Sequence, residues 1–224
     1  MKKKIKGHPY VSWFSPDKIE KDSLWIAVYE ASGYARGKLL DVGCGKKPYY
    51  KILKNKVTSY IGLDLEGGDI TASALKLPFP SEEFDTVFST QVLEHIEDPF
   101  LMISEANRVL KKGGYLILTA PLFWCLHEEP RDFFRFTKYG LNTLARKNGL
   151  RVVYIRERGN WPSTLGQMSS LFFESTVNRT ILKYPKKIIQ IIIQYILWQM
   201  SKIGRLAKNK QAPLGYIMVA RKPK

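Results

Sequence analysis

The run Leu39-Leu-Asp-Val-Gly-Cys-Gly45 decides how this chain is read. It continues an apolar stretch from Lys38 that has the length of a buried strand, and it ends in two glycines one residue apart. Glycine at the end of a strand lets a ligand approach the backbone with no Cβ in the way. The run is not a dinucleotide fingerprint, because Gly43-Cys-Gly-Lys-Lys-Pro48 lacks the third glycine of GxGxxG. Asp41 adds information: a carboxylate beside the loop repels a pyrophosphate and attracts an ammonium or a sulfonium.

Outward from that run, strands and helices alternate. Ser59–Asp64 and Phe84–Ser89 have the apolar character of strands. Pro99–Leu110 has helical spacing, with Leu101, Ala106, Val109 and Leu110 on one face, and Lys111-Lys-Gly-Gly stops it. Tyr115–Thr119 is a strand, Lys138–Asn148 a helix ended by Gly149, and Arg151–Ile155 a further strand. This rhythm predicts an α/β fold: a Rossmann-like, doubly wound, mostly parallel sheet of seven strands. The last strand, Leu214–Ala220, is expected to be antiparallel and to follow a C-terminal helical insertion. Residues 1–36 form a helical lead-in, 37–162 and 212–224 the main domain, and 163–211 the insertion.

Asp64 closes Ile61-Gly-Leu-Asp about twenty residues after the glycine loop, where an acid can accept hydrogen bonds from both hydroxyls of a ribose. An aspartate at a strand end also caps turns. Further on stand Leu77-Pro-Phe-Pro80, Phe84-Asp85 and Gln91-Val-Leu-Glu-His-Ile96, the last followed by Asp98-Pro99. In this order and spacing, over residues 37–156, the chain resembles the class I S-adenosylmethionine-dependent methyltransferases of the type 11 group.

The resemblance implies roles residue by residue. Asp41, Gly43, Cys44 and Gly45 line the methionine end of S-adenosylmethionine. Asp64 holds the ribose, and Leu65 packs on the adenine. Ser73 and Ala74 fall where the family places an acid near the adenine amino group. Here a serine oxygen offers an uncharged acceptor, with Asp69 as an acidic neighbour. Gln91 borders the methyl group. His95 stands where the family often carries a histidine, as a structural or a catalytic group; four residues from Gln91, it shares a face with it if the two begin a helix.

After the fifth strand comes His127-Glu-Glu-Pro-Arg-Asp-Phe-Phe-Arg-Phe-Thr137, dense in aromatics and in both signs of charge. Loops on this sheet edge carry function. His127 is the leading candidate for a general base, ahead of His95, while Glu128 and Asp132 offer an acid and Arg131 and Arg135 guanidinium clamps. A salt-bridged loop over an aromatic cluster is the alternative. Thr137 is placed to cap the next helix. No metal is called for by this pattern, and Cys44 and Cys125 supply neither a disulfide framework nor a zinc-ligand spacing.

The 224 residues carry 36 Lys and Arg against 20 Asp and Glu, a net charge of +16, unevenly spread. Residues 1–150 hold 22 basic and 18 acidic side chains, whereas 151–224 hold 14 and 2, so most of the excess lies in the last third. That asymmetry points to an anionic partner. Residues 188–201 carry no charge and are flanked by Lys183, Lys186 and Lys187 on one side and Lys202, Arg205, Lys208 and Lys210 on the other. The run is too short to span a bilayer, which needs about 20 residues. Three uses stand open: a helix in an anionic membrane interface, a homodimer seam or substrate lid, or a core element. The basic start has no apolar run of signal-peptide length behind it. A cytoplasmic protein is expected, with the inner face of the membrane as a peripheral site.

The expected reaction is in-line methyl transfer to a small-molecule or glycan/lipid-linked acceptor at oxygen. Ser89-Thr-Gln-Val replaces the Asn/Asp-Pro-Pro-aromatic run of enzymes that methylate planar amino groups, which argues against adenine or glutamine as acceptor. RNA, kept open by the basic charge, is the weaker partner class. A protein that binds the cofactor without turnover is the contrasting reading.

Overall fold

Buried apolar strands need cover on both faces, and the alternation of strand and helix supplies it. A computed structural model describes residues 12, 15–177, 188–189, 191–193, 195–196, 199–200 and 211–224. The strands are β1 (Lys38–Val42), β2 (Ser59–Asp64), β3 (Ile70–Thr71), β4 (Phe84–Thr90), β5 (Leu110–Pro121), β6 (Arg151–Arg158) and β7 (Gly215–Arg221). They form one seven-stranded sheet in the order β3-β2-β1-β4-β5-β7-β6. The pairs β1–β2, β1–β4, β2–β3 and β4–β5 are parallel, and β7 runs antiparallel to β5. Strand order reverses between β1 and β4, so the crevice at their carboxyl ends is where such a sheet takes its ligand.

The chain divides into two compact units. One comprises Ala27–Leu122, Leu126–Arg156 and Gly215–Lys224 and holds the sheet's core, in which Leu40, Val42, Phe84, Val87, Leu116, Leu118 and Met218 are buried. Helix α3 (Pro99–Val109) packs Met102, Ile103, Ala106 and Val109 into that core. Burial of each of the larger side chains contributes about 1.5–3 kcal/mol. Asp98 starts this helix, accepting the Leu101 N–H at 2.9 Å, with Pro99 in the first turn. From the same helix Arg108 grips the Leu77-Pro-Phe segment, donating to the Phe79 carbonyl at 2.7 Å and the Leu77 carbonyl at 2.9 Å. Helix α4 (Lys138–Lys147) starts at Thr137, whose Oγ1 accepts the Gly140 N–H at 3.1 Å, as its sequence predicts.

The second unit comprises Met1–Ile26, Phe123–Cys125 and Glu157–Leu214. A buried ion pair between Arg158 and Glu20, 2.8 Å apart, ties its early and late parts together. Gln167 adds to it, accepting the Glu20 N–H at 3.0 Å and donating to the Pro16 carbonyl at 2.6 Å. Helix α5 (Trp161–Val177) follows Asn160, which accepts the Ser163 N–H at 3.2 Å.

Several boundaries differ from the sequence reading. β5 begins at Leu110 rather than Tyr115, because Leu110 already pairs with Phe84 before a register shift. Gly113, at φ 80°, lets the chain make that entry. Helix α1 (Lys18–Ala31) matches the expected lead-in helix, whereas α2 (Tyr50–Leu53) and β3 are too short to leave a periodic signal. Lys183, Lys186, Lys187, Lys202, Arg205, Lys208 and Lys210, with much of the expected insertion, lie outside the described residues. Among those that are described, Ile188, Ile192, Ile196 and Met200 are helical and exposed. No described helix is long and apolar enough to cross a membrane.

Candidate active site

Four strand ends and the loops that follow them build the site, all within the sheet-bearing unit. At the end of β1 the chain turns through Gly43 (φ 72°) and Gly45 (φ 48°). A Cβ on Gly43 would come within 2.2 Å of Val92 Cγ2, whereas one on Gly45 would meet nothing within 4 Å. The first glycine lets the two loops pack together, and the second faces open space. Between them the Cys44 side chain is buried, and burial pushes its thiol up to about 11, so it serves as packing rather than as a nucleophile.

At the end of β2, Asp64 accepts the Gly45 N–H through Oδ2 and the Leu65 N–H through Oδ1, both at 2.8 Å. Asp41, one strand in, is buried and accepts a hydrogen bond from the Tyr60 hydroxyl on Oδ2. Its Oδ1 is buried with no hydrogen-bond partner. Desolvation, reinforced by the Asp64 charge and opposed by Tyr60, raises the Asp41 carboxyl to about 7. Asp69 is held by Lys47 and by the Gly62 N–H at 2.7 Å, and these contacts keep its pKa low.

The other half follows β4 and β5. Gln91 sits in the left-handed region at φ 54°, its N–H directed at the Thr119 carbonyl (3.3 Å) and its Nε2 at the Thr119 hydroxyl (3.1 Å). A strained residue held by a buried neighbour is a mark of function. A 3-10 turn, Leu93–His95, comes next. The Phe133 and Phe134 N–H groups donate to the Glu94 carbonyl at 2.9 and 3.2 Å, pinning the 127–137 loop to this turn. His95 Nδ1 lies 2.5 Å from the Arg131 carbonyl. His127 Nδ1 lies 3.3 Å from Asp132 Oδ2, which also accepts the His127 backbone N–H at 3.1 Å. Arg135 forks onto Asp132 at 2.6 and 2.8 Å and holds its carboxyl well below the usual carboxylate range. The two imidazoles meet edge to face, their centroids 4.6 Å apart.

Residues 40–118 match the family model described as "Methyltransferase domain". A ubiquinone biosynthesis O-methyltransferase of Pseudomonas fluorescens is 32% identical over 197 residues, covering 77% of this chain and 81% of that one. The chain belongs to the class I methyltransferases of type 11. The uncharacterized protein MJ1123 of Methanocaldococcus jannaschii is 34% identical over 114 residues, 49% of this chain. The chain thus spans about half of that relative's length (56%). Among solved structures, the [4+2]-cyclase SpnF superposes with a TM-score of 0.60 at 21% identity, covering 91% of this chain and 81% of its own, which shows the shared fold.

S-adenosylmethionine is the cofactor of this methyltransferase family, and the residues present fit it. The unmatched Asp41 Oδ1 suits the ammonium of a methionine moiety, and a Cβ on Gly45 would point into open space over the loop. Asp64 keeps lone pairs on both oxygens for the ribose, so capping and ribose binding are compatible. Leu65 is exposed beside it, ready to cover a ring. Ser73 Oγ accepts the Leu75 N–H at 3.1 Å, and Ala74 is buried behind it. Asp69, the acidic neighbour of Ser73 in the sequence, is held by Lys47 and by the Gly62 N–H.

Other site expectations change. Gln91 and His95 share no helix face, because the left-handed turn at Gln91 separates it from the short 3-10 turn. Arg131 is exposed and reaches His95 through its carbonyl rather than its guanidinium. The guanidinium that organises the loop is that of Arg135. Thr119 and Glu94 were not singled out from the sequence. A threonine inside an apolar strand is ordinary, and Glu94 reads as a helix residue until the 3-10 turn buries it.

Proposed function

We propose that the chain transfers a methyl group from S-adenosylmethionine to an oxygen of a small hydroxylated acceptor, which includes a glycan or lipid-linked sugar. The observation that supports this is the chain of contacts His127–Asp132–Arg135 at the sheet edge that also carries Asp64 and the glycine loop. A carboxylate on Nδ1 orients the imidazole for proton transfer from an acceptor hydroxyl to Nε2. Arg135 keeps Asp132 ionised, so that the proton is not shared the wrong way. When bound, the cofactor supplies a methyl on a positively charged sulfur: an acceptor lone pair forms the O–CH3 bond and the C–S pair stays on sulfur. The rest of the task is alignment, which can be worth roughly 7–11 kcal/mol. Gln91, fixed by Thr119, borders the place where that alignment must occur.

The similarity to ubiquinone biosynthesis O-methyltransferases favours oxygen over nitrogen as acceptor. Incubating the protein with methyl-labelled cofactor and separate glycan, lipid, phenol and RNA fractions tests the reading. Label is expected in alkali-stable ethers of a hydroxylated small molecule or glycolipid. Label confined to RNA, or to carboxyl esters, overturns it.

A further inference from the structure

We propose that Glu94, His95 and His127 form a binding site for a divalent first-row transition-metal ion that also takes up the acceptor oxygen. The role of the ion rests on the O-methyl-transfer reading above; its binding does not. Each of the three side chains offers a ligand atom, and these atoms lie within 4.8 Å of one another. Ligands around a common ion at about 2.0–2.2 Å stand somewhat closer than that, within reach of small side-chain rotations.

The surroundings carry the inference further than the distances do. A metal-binding histidine donates its second ring N–H to a carbonyl or a carboxylate, which fixes tautomer and direction. Both histidines are held in this way. The Arg131 carbonyl sits on His95 Nδ1 at 2.5 Å, and the Asp132 carboxyl group sits 3.3 Å from His127 Nδ1. Nε2 is the atom through which each ring would meet the ion. The Glu94 side chain is fully buried and offers a carboxylate oxygen beside the two rings. The Phe133 and Phe134 N–H bonds to the Glu94 carbonyl lock the loop and the turn that carry the three side chains. Glu128 Oε2, 3.9 Å from His95 Nε2 and exposed, marks the open side where a further ligand enters.

Two imidazoles and one carboxylate suit zinc, cobalt, manganese or iron, whereas magnesium and calcium favour all-oxygen sites. Three protein ligands leave a coordination position for the substrate. A hydroxyl bound there becomes more acidic. Its proton leaves to Glu128 or to water, and the oxygen pair then forms the bond to the methyl carbon. With the ion in place His127 is a ligand rather than the base, so the ion and the metal-free imidazole are alternative means of activating one oxygen.

The test uses the untagged full chain, stripped of metal and titrated with Co2+ and then Zn2+. One equivalent of Co2+ is expected, with visible absorption of a nitrogen- and oxygen-ligated ion, displaced by Zn2+. His127→Ala and Glu94→Gln should each weaken Co2+ binding at least tenfold, and Asp132→Asn, which acts through His127, by about ten- to a hundredfold. Because Glu94 is buried, its variant is also checked by thermal unfolding; His127, on the loop, gives the independent measurement. Absence of saturable binding by the wild type, or binding unchanged in all three variants, overturns the site. S-adenosylhomocysteine binding is measured on the same samples. Cofactor binding with metal-free turnover and no Co2+ site overturns the metal and leaves the methyl-transfer reading, whereas a Co2+ site in a protein that methylates no acceptor does the opposite.

Discussion

Asp64 and Gly45, nineteen positions apart in sequence, are joined by a 2.8 Å hydrogen bond from the glycine amide to the carboxylate. The residue expected to hold the ribose is thus also a strut of the glycine loop. Asp64→Ala should weaken S-adenosylhomocysteine binding by tenfold or more, since bonds to a charged group contribute about 1.5–3 kcal/mol each. It should also lower the melting temperature, because the Gly45 and Leu65 amides lose their acceptor. Asp64→Asn keeps one acceptor oxygen and should recover part of the stability but little of the affinity. Calorimetry and thermal unfolding on the two variants separate the roles; an Asp64→Ala protein of unchanged affinity leaves the residue as a cap alone.

The two glycines should respond differently to alanine. Gly43→Ala puts a Cβ into Val92 and forces a left-handed residue, at about 1–2 kcal/mol for the backbone and 1–3 kcal/mol for overpacking. Its melting temperature should fall clearly. Gly45→Ala has room for its methyl group, so it should lose only the backbone cost of a left-handed residue (φ 48°), about 1–2 kcal/mol, and cofactor affinity besides. Equal melting temperatures for both variants would contradict the packing of Gly43 on Val92.

Asp41 makes stability depend on pH near neutrality. Its folded-state pKa, about 7, lies above the ordinary carboxyl value of 3.8. The native state therefore holds this proton more tightly than the unfolded chain does. The resulting stabilisation is complete below about pH 4 and is lost as pH rises through 7, at most about 4 kcal/mol. Asp132, with a lowered pKa, acts in a separate window: its stabilisation is present above the ordinary carboxyl range and fades below it. Urea unfolding at pH 5 and pH 8 should show wild type less stable at pH 8, and Asp41→Asn should remove most of that difference. A cationic ammonium beside Asp41 favours the ionised form, so S-adenosylhomocysteine should bind more tightly at pH 8 than at pH 6, a trend the same variant should flatten.

His127→Ala and Asp132→Asn test the acceptor half. Proton transfer by a positioned base contributes about 10²–10⁴-fold, and turnover should fall within that range in His127→Ala. Asp132→Asn should follow it with a smaller loss and a shifted pH profile. Cofactor affinity should stay within a few-fold of wild type, because Asp64, Gly43 and Gly45 are untouched. Should affinity fall as far as in Asp64→Ala, the loop belongs to the cofactor site.

We also propose that the exposed residues Ile188, Ile192, Ile196 and Met200, at four-residue steps, rest on an anionic lipid surface. The uncharged run 188–201, with lysines before and after it in sequence, is the complementary pattern. Wild type should co-sediment with anionic vesicles and much less with neutral ones. Salt should weaken this, since each Lys or Arg near such a surface contributes about 1 kcal/mol, screened within a Debye length. Ile192→Glu with Ile196→Glu should abolish it. A protein that ignores vesicles and becomes monomeric in the double variant places a second copy on this face; RNA binding insensitive to these changes places the partner on the lysines.

The sequence by itself determined the longer strands and helices in their order, the glycine loop, Asp64 and the Leu77 and Gln91 segments, because each is set by local periodicity or by a short motif. It also placed Thr137 as a helix start, since a cap acts over three residues. It left undecided how distant charges pair. His127 and Asp132 are close in the chain, yet only the folded loop aims that carboxylate at Nδ1, recruits Arg135 rather than Arg131 and presents the Arg131 carbonyl to His95. The burial of Glu94 and the left-handed turn at Gln91 likewise depend on Thr119 and the 127–137 loop meeting the end of β4, contacts that no periodicity encodes. Asp41 illustrates both levels. Its place beside the loop is written in the chain, but its raised pKa arises from removing water around it, and that happens only when the sheet closes over it.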